Sequence, residues 1–385
     1  MRKLVTILSL IVLAACGEKP KSEEVSVVEE PKNILENLTY TLDTVVVDPV
    51  DDIINLKQGI TPWAISEDKA YFFHYTIQGE VLSIIDLNAL RLVKQQVFEK
   101  EGPNAIVRHT TNLQKAGENQ LMFIGLIHQG IYDFDGHKIK TIKFDPSQIT
   151  GLTDEFEDSR HYKIARSKNR EKYFSLPGGY GKGRKKFLVV DLEGNQGKVH
   201  DLPLFDFLSD YAVKLNMSNG GGFKREEIFL KQTADGNMII SNSAAGDIYL
   251  FDVLSDSLIW IPVAHTLVPN KINVEMKPQV QSMQEFEVES EKRRTQIYFE
   301  PFLYDDQSGY YFRFARIGKA GQHDMSSPKS DIYLFAYDKD FNLIGETKLQ
   351  EFIKVPSSPF FKDGKLYSYV NVDDELGFAV FTFNF

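Results

Sequence analysis

Three observations predict an all-β fold for this 385-residue chain. Aromatic residues are abundant, with 28 Phe and 17 Tyr against 2 Trp, and such side chains favour strands. From Leu38 onward, short apolar and β-branched runs alternate with Gly, Asn and Asp turns, and no long amphipathic helix interrupts them. Finally, one pattern recurs: an apolar run reaches an Asp, a few polar residues follow, and another strand-like run begins. It occurs at Ser83–Leu87, Ile131–Phe134, Val189–Leu192, Tyr249–Val253 and Leu334–Asp338. A pattern repeated along a chain marks a repeat architecture.

Each recurrence sits in a set of four strand-like runs. The first set is Thr61–Ser66, Ala70–Tyr75, the Asp86 run and Leu90–Phe98. The second is His109–Gln114, Gln120–Ile127, the Asp133 run and Lys138–Phe144. The third is Tyr162–Arg166, Lys172–Leu176, the Asp191 run and Gly197–Leu204. The fourth is Glu227–Gln232, Met238–Ser241, the Asp252 run and Leu258–Val263. The fifth is Gln296–Tyr304, Tyr310–Ile317, the Asp338 run and Leu343–Leu349. A sixth set, Ser358–Phe361, Lys365–Asn371 and Phe378–Phe385, stops one strand short. The orphan run Leu38–Val47 supplies the missing strand. The prediction is a six-bladed β-propeller closed by an N-terminal strand, a closure that removes an open sheet edge. No Trp-Asp dipeptide recurs, so a WD40 array is excluded. Gly-Gly doublets do not recur at blade spacing either, which argues against kelch.

Ahead of the propeller lies Met1-Arg2-Lys3, then an apolar run from Leu4 to Ala15. The run is shorter than the roughly 20 residues of a membrane-spanning helix and suits a signal-peptide core. Leu13-Ala14-Ala15-Cys16-Gly17 resembles the lipobox of bacterial lipoproteins. The resemblance implies cleavage before Cys16, a diacylglycerol on its thiol and an acyl chain on its new amine. Several acyl chains anchor firmly where one binds only marginally. Residues 1–15 thus read as a lipoprotein signal peptide, 16–36 as a lipidated flexible tether and 37–385 as the propeller. The tether is charged and carries Pro20 and Pro31. Cys16 is the single Cys, so no intrachain disulfide forms and no Cys-based zinc site exists. Gly17, in place of Asp, resembles the pattern of outer-membrane sorting. Glu18, Glu23 and Glu24 are interrupted by Lys19, Pro20 and Lys21, which leaves periplasmic and surface-exposed orientations both open.

Together with the lipobox, Thr44-Val45-Val46-Val47-Asp48 and Phe98-Glu99-Lys100-Glu101-Gly102-Pro103-Asn104 resemble the six-bladed propeller lipoproteins of Bacteroidota classed as domain of unknown function 4221. The resemblance spans the whole mature chain. It implies architecture and envelope localisation, and it brings no catalytic residue with it.

The loops divide by length. Turns such as Ser66-Glu67-Asp68 and Lys362-Asp363-Gly364 are short hairpins. The long connections are Glu99–Arg108, Asp145–Arg160, Pro177–Lys186, Phe205–Arg225, His265–Thr295 and Lys319–Ser330. In a propeller these fall on one face, and long loops on a rigid scaffold usually carry binding sites. On that face, Tyr180, Lys182 and Arg184 belong to a glycine-rich basic loop able to offer N–H groups and cations to an anion. Ser218–Arg225 is a second glycine-rich loop of similar character. Arg108-His109 and Arg160-His161 are matched dipeptides leading into the second and third sets, expected at the channel mouth as anion-binding residues. Met283–Arg294 reads as one amphipathic helix with Met283, Phe286 and Val288 on one side.

The eight His show no metal spacing, and no metal is expected, although His109, His128 and His161 on adjacent blades can converge on the axis. Asp51-Asp52, Asp305-Asp306 and Asp373-Asp374 are carboxylate pairs of the kind that ligate Ca²⁺. Turn chemistry accounts for Asp305-Asp306. No GxSxG elbow or dinucleotide fingerprint is present. The net charge of −10 excludes non-specific nucleic-acid binding. The sequence therefore predicts a monomeric, membrane-anchored binding module for a small molecule, glycan or protein, acting through its long-loop face. No cofactor beyond the lipid on Cys16 is expected, and a non-enzyme is favoured. Two alternatives stay open. One is a propeller hydrolase or lyase acting on a glycan or lactone, with or without a metal. The other is a scaffold subunit of an outer-membrane complex.

Overall fold

A computed structural model of the chain describes residues 33–126, 128–145, 147–152, 163–168, 171–177, 183–217, 220–321 and 329–385. Among the described residues the strands group into seven sheets, six of them antiparallel and in chain order. The first sheet is Trp63–Ile65, Tyr71–Thr76, Val81–Asp86 and Arg91–Val97. The second is Thr110–Gly117, Gln120–Gly125, Gln129–Asp133 and Lys138–Ile142. The third is Ile164–Arg166, Lys172–Ser175, Lys186–Asp191 and Gln196–Asp201. The fourth is Ile228–Gln232, Met238–Asn242, Ile248–Asp252 and Ser257–Ile261. The fifth is Ile297–Phe299 with Leu303–Asp305, then Tyr310–Gly318, Ser330–Tyr337 and Leu343–Leu349.

Phe360–Lys362, Lys365–Val372 and Glu375–Asn384 begin the sixth sheet. Its fourth strand is Thr39–Val46, which pairs antiparallel with the C-terminal strand from Thr39 opposite Asn384 to Val46 opposite Gly377. The first and last strands of the described chain thus share one ladder. Asn33–Glu36, read from sequence as the end of the tether, already packs on the fold. Ile34 N donates to Ile344 O at 3.0 Å, and Leu35 is fully buried beside Phe361 and Phe381. Burying Ile34 and Leu35, an apolar pair in a charged stretch, starts the fold before residue 37.

The recurring Asp has a physical cause. Asp86 Oδ1 accepts from the N–H of Asn88 and Ala89 at 2.8 and 2.9 Å. Asp133, Asp191, Asp252 and Asp338 each cap two turn N–H groups in the same way. The carboxylate satisfies backbone donors that the turn leaves unpaired. The sequence repeat is therefore a repeat of turn chemistry between the third and fourth strands.

The second and third strands of the sheets are apolar on both faces because neighbouring sheets cover both. Phe73 and Tyr75 of the first sheet pack with Leu121 and Phe123 of the second. Met122 and Ile124 pack with Tyr173 and Leu188 of the third. Phe174 and Phe187 join Ile239 and Phe251 of the fourth, and the same cluster reaches Phe335 of the fifth. Phe314 and Leu334 meet Leu366 and Phe381 of the sixth, whose Phe360 and Phe378 pack on Phe72 and Ile85 of the first. The packing order returns to its start. Aromatic contacts recur at these junctions: Phe98 to Phe123 at 5.0 Å, Phe187 to Phe251 at 5.2 Å and Phe72 to Phe378 at 5.4 Å. Such pairs contribute about 0.5–1.5 kcal/mol each beyond their buried area.

Two of the expected long loops are structured. Val213–Met217 pairs with Gly220–Lys224 and, in parallel, with Gln279–Val280. Val213, Leu215 and Val280 are buried with Met276 and Phe286. The alternation in Val213-Lys214-Leu215 is a strand pattern, paired both with the nearby Gly220–Lys224 and with the distant Gln279–Val280. The helix Met283–Arg294 forms as predicted, with Ser282 Oγ accepting from Glu285 N at its start. Its expected apolar side does not. Met283 and Val288 are exposed, whereas Glu289 and Arg293 are buried. Arg293 makes a two-point ion pair with Glu226, which also accepts from Ser243 Oγ at 2.5 Å. The helix is held chiefly by this charged contact, with Phe286 alone of the three packing inward.

Candidate functional site: a central cavity with an unpaired lysine

The first strands of the sheets line two adjoining cavities. The larger holds about 500 Å³ and is walled by Thr61–Ile65, Thr111–Lys115, Ala165–Lys168 and Leu230–Gln232, with Glu67 at one end. The smaller holds about 140 Å³ and is walled by Glu300, Pro301, Leu303, Phe314, Val355, Pro356 and Pro359. Trp63 and Lys231 line both. All six sheets or their leading segments therefore border this space. Its size suits a small organic ligand.

Side chains stitch neighbouring first strands where backbone ladders do not reach. Gln114 Nε2 donates to Ile164 O at 2.5 Å, and Gln114 Oε1 accepts from Arg166 N at 3.2 Å. Arg166 Nη1 donates to Ala116 O at 2.9 Å. Gln232 Nε2 donates to Arg166 O at 2.7 Å. These bonds fix the wall between the second, third and fourth sheets.

Lys231 stands apart. Its side chain is exposed to the cavity while protein surrounds it. Among the described residues it makes no hydrogen bond and no ion pair. Desolvation alone lowers the pKa of its ammonium, with no carboxylate near enough to raise it. Glu300, across the smaller cavity, is engaged by Arg316 Nε at 3.0 Å. Burial raises the Glu300 pKa, and Arg316 opposes that rise. Trp63 is stacked on Phe72 at 5.4 Å, which fixes its ring at the cavity junction.

The residues expected to bind from sequence lie elsewhere. Arg108 and His109 are exposed, and neither lines the cavity. His109 takes a φ of 54°, the left-handed region that His visits more than most residues. Arg184 is exposed on its loop. Cys16, Arg160, His161, Tyr180 and Lys182 lie outside the described residues. Among the described residues, no group of three His, Asp or Glu side chains is arranged to hold a metal ion. No described helix is long and apolar enough to cross a membrane.

Sequence reasoning also missed two buried polar centres. Arg313 is fully buried and donates to Glu300 O, Gly246 O and Asn242 O at 2.8, 3.0 and 2.8 Å. Phe299 and Phe302 flank its guanidinium, each 4.8 Å away. His265 is buried against Phe335, with Nδ1 3.0 Å from Asn270 Oδ1 and Nε2 2.9 Å from Tyr337 Oη. Burial, helped by the Arg313 charge, pushes its pKa down to about 4. Both centres tie the fourth and fifth sheets together, and neither side chain lines the cavity, although Arg313 holds the backbone of the wall residue Glu300.

The profile of the domain of unknown function 4221 family matches residues 31–348. The chain belongs to that family. A crystal structure of a DUF4221 family member from Bacteroides vulgatus superposes with a TM-score of 0.62 at 13% identity, covering 92% of this chain and 99% of that one. At that identity the likeness shows the fold alone. The β-propeller domain of Cps50 (Swd1) from Myceliophteria thermophila gives a TM-score of 0.42 at 10% identity, covering 84% of this chain and 83% of that one. The periplasmic gluconolactonase of Pseudomonas aeruginosa also gives 0.42, at 9% identity, covering 86% and 93%. No curated protein matches the chain. This DUF4221 protein is accordingly an all-β, propeller-like member of a family whose function its name leaves open.

Proposed function

We propose that this DUF4221 protein is a six-bladed propeller lipoprotein that binds a small ligand in its central cavity. The observation that carries the reading is the cavity itself, bordered by all six sheets or their leading segments and holding Lys231, whose side chain has no partner among the described residues. A propeller scaffold makes such a site rigid, because the wall residues sit on strands cross-linked by Gln114, Arg166 and Gln232. The proposed site is the cavity rather than the rim at Arg108 and His109. The long-loop residues Arg160, His161, Tyr180, Lys182 and Arg184 then serve access or partner contacts. Anchoring is proposed through acyl chains on Cys16, at the outer membrane, with the propeller monomeric and in the periplasm or at the surface.

A plug tests the cavity. Thr111 is exposed and lines it, so Thr111→Trp fills space without displacing the core. Compounds from a panel of small sugars, lactones and organic acids that raise the melting temperature of the wild-type protein should fail to stabilise Thr111→Trp. Equal stabilisation of both proteins would place the site elsewhere. Turnover of a panel compound, abolished by the plug, would replace the binding module with a hydrolase or lyase. For the anchor, Cys16→Ser should move the protein from the membrane to the soluble fraction, and continued membrane attachment would overturn the lipobox reading.

A further inference from the structure

The charge of the cavity wall opposes the charge of the chain. The chain carries a net −10, yet Lys115, Arg166, Lys168 and Lys231 line the larger cavity against Glu67. Three of these cations are turned to the wall. Lys115 Nζ donates to Gly117 O and Glu118 O, Lys168 Nζ to Ala234 O, and Arg166 Nη1 to Ala116 O. Carbonyl oxygens hold these groups at the wall. Lys231 differs, because no described group accepts its protons.

Lys231 is exposed to the cavity, so its ammonium is solvated there and open to an incoming anion. Among the described residues, neither wall offers a carboxylate paired with it. Glu67 belongs to the Ser66–Asp68 hairpin at one end, and Glu300 is held by Arg316. We infer that the central cavity binds a small organic oxyanion, a carboxylate or a phosphate ester, whose charge is met by Lys231. The inference rests on the proposal that the cavity is the binding site, and it adds the ligand's chemical class. Asn112 and Thr111 are exposed on the same wall and can hydrogen-bond the ligand's polar groups. Trp63 offers an aromatic edge at the junction of the two cavities.

Trp63 also provides the readout. The chain has two Trp, so Trp260→Phe leaves Trp63 as the sole indole. Acrylamide, which is neutral, reports whether small molecules reach Trp63. Iodide and caesium then report the sign of the field there. Iodide is expected to quench Trp63 at least threefold more strongly than caesium at equal ionic strength. Lys231→Met should lower the ratio with acrylamide quenching unchanged, and Lys231→Arg should preserve it. Benzoate and inorganic phosphate should protect Trp63 from iodide, and whichever acts at the lower concentration identifies the oxyanion class. Equal quenching by iodide and caesium, an unchanged ratio in Lys231→Met, or equal protection by benzamide and benzoate would each overturn the inference. Failure of acrylamide to reach Trp63 would instead overturn the cavity as the binding site.

Discussion

Trp63 and Lys231 both border the larger and the smaller central cavity, so the indole and the ammonium share the junction between them. One comes from the first sheet and the other from the fourth. Their shared position follows from the return of the packing order to its start, which brings the first strands of distant repeats around one space.

Stability should reflect that. Lys231 has no described partner and lines the cavity with Lys115, Arg166 and Lys168, so its charge adds repulsion and returns no bond. Lys231→Met should melt at a higher temperature than wild type in buffer free of ligand. Functional groups often carry such a stability cost. A lower melting temperature would show that Lys231 supports the fold.

The Arg293–Glu226 pair should behave oppositely. Both side chains are almost wholly buried, and Ser243 Oγ adds a third bond at 2.5 Å. Arg293→Ala leaves a buried carboxylate without its cation and should cost about 3–5 kcal/mol. Urea unfolding midpoints measure this. Combining Arg293→Met with Glu226→Leu should recover most of the loss, because it removes both charges.

His265 predicts a pH dependence. Its pKa is about 4 in the folded chain against about 6.5 unfolded. Between these values the unfolded chain binds the proton and the folded chain does not, so stability rises with pH. The contribution is fully present above about pH 6.5 and is lost as pH falls toward 4. His74, buried between Ile60 O and Asn55 O, is shifted in the same direction by desolvation. His265→Gln should lose less stability than wild type between pH 7 and pH 5. Parallel losses in the two proteins would contradict the assignment.

Pairing of the terminal strands makes a further prediction. Thr39–Val46 completes the sixth sheet against Glu375–Asn384. Deleting Leu38–Val47 exposes that strand edge along with Phe381 and Val380, and should lower the melting temperature of the whole domain and promote aggregation. Unchanged melting would mean the ladder contributes nothing to cooperativity.

Much of the fold was legible because its signals are local. Each Asp at a third-strand end caps N–H groups two to four residues ahead, so turn chemistry prints directly into sequence. The orphan strand was legible by counting, since five complete sets precede an incomplete one. The parallel pairing of Val213–Met217 with Gln279–Val280 was not, because an entire sheet separates the two in the chain. The helix misled for a related reason: the partner of Arg293 is Glu226, and local periodicity carries no trace of it. Lys231 had the faintest signal of all. Its surroundings combine Trp63, Arg166, Glu300 and Pro359, which come from sheets far apart in the chain. A Lys in an otherwise apolar first strand, Ile228-Phe229-Leu230-Lys231, was the one available hint.

The most direct test of an oxyanion-binding central cavity is crystallographic. Crystals of the propeller soaked in sodium bromide should show an anomalous peak in the cavity beside Lys231 Nζ, and that peak should vanish in Lys231→Met. Bromide confined to the outer surface, with the cavity holding only water, would contradict the account.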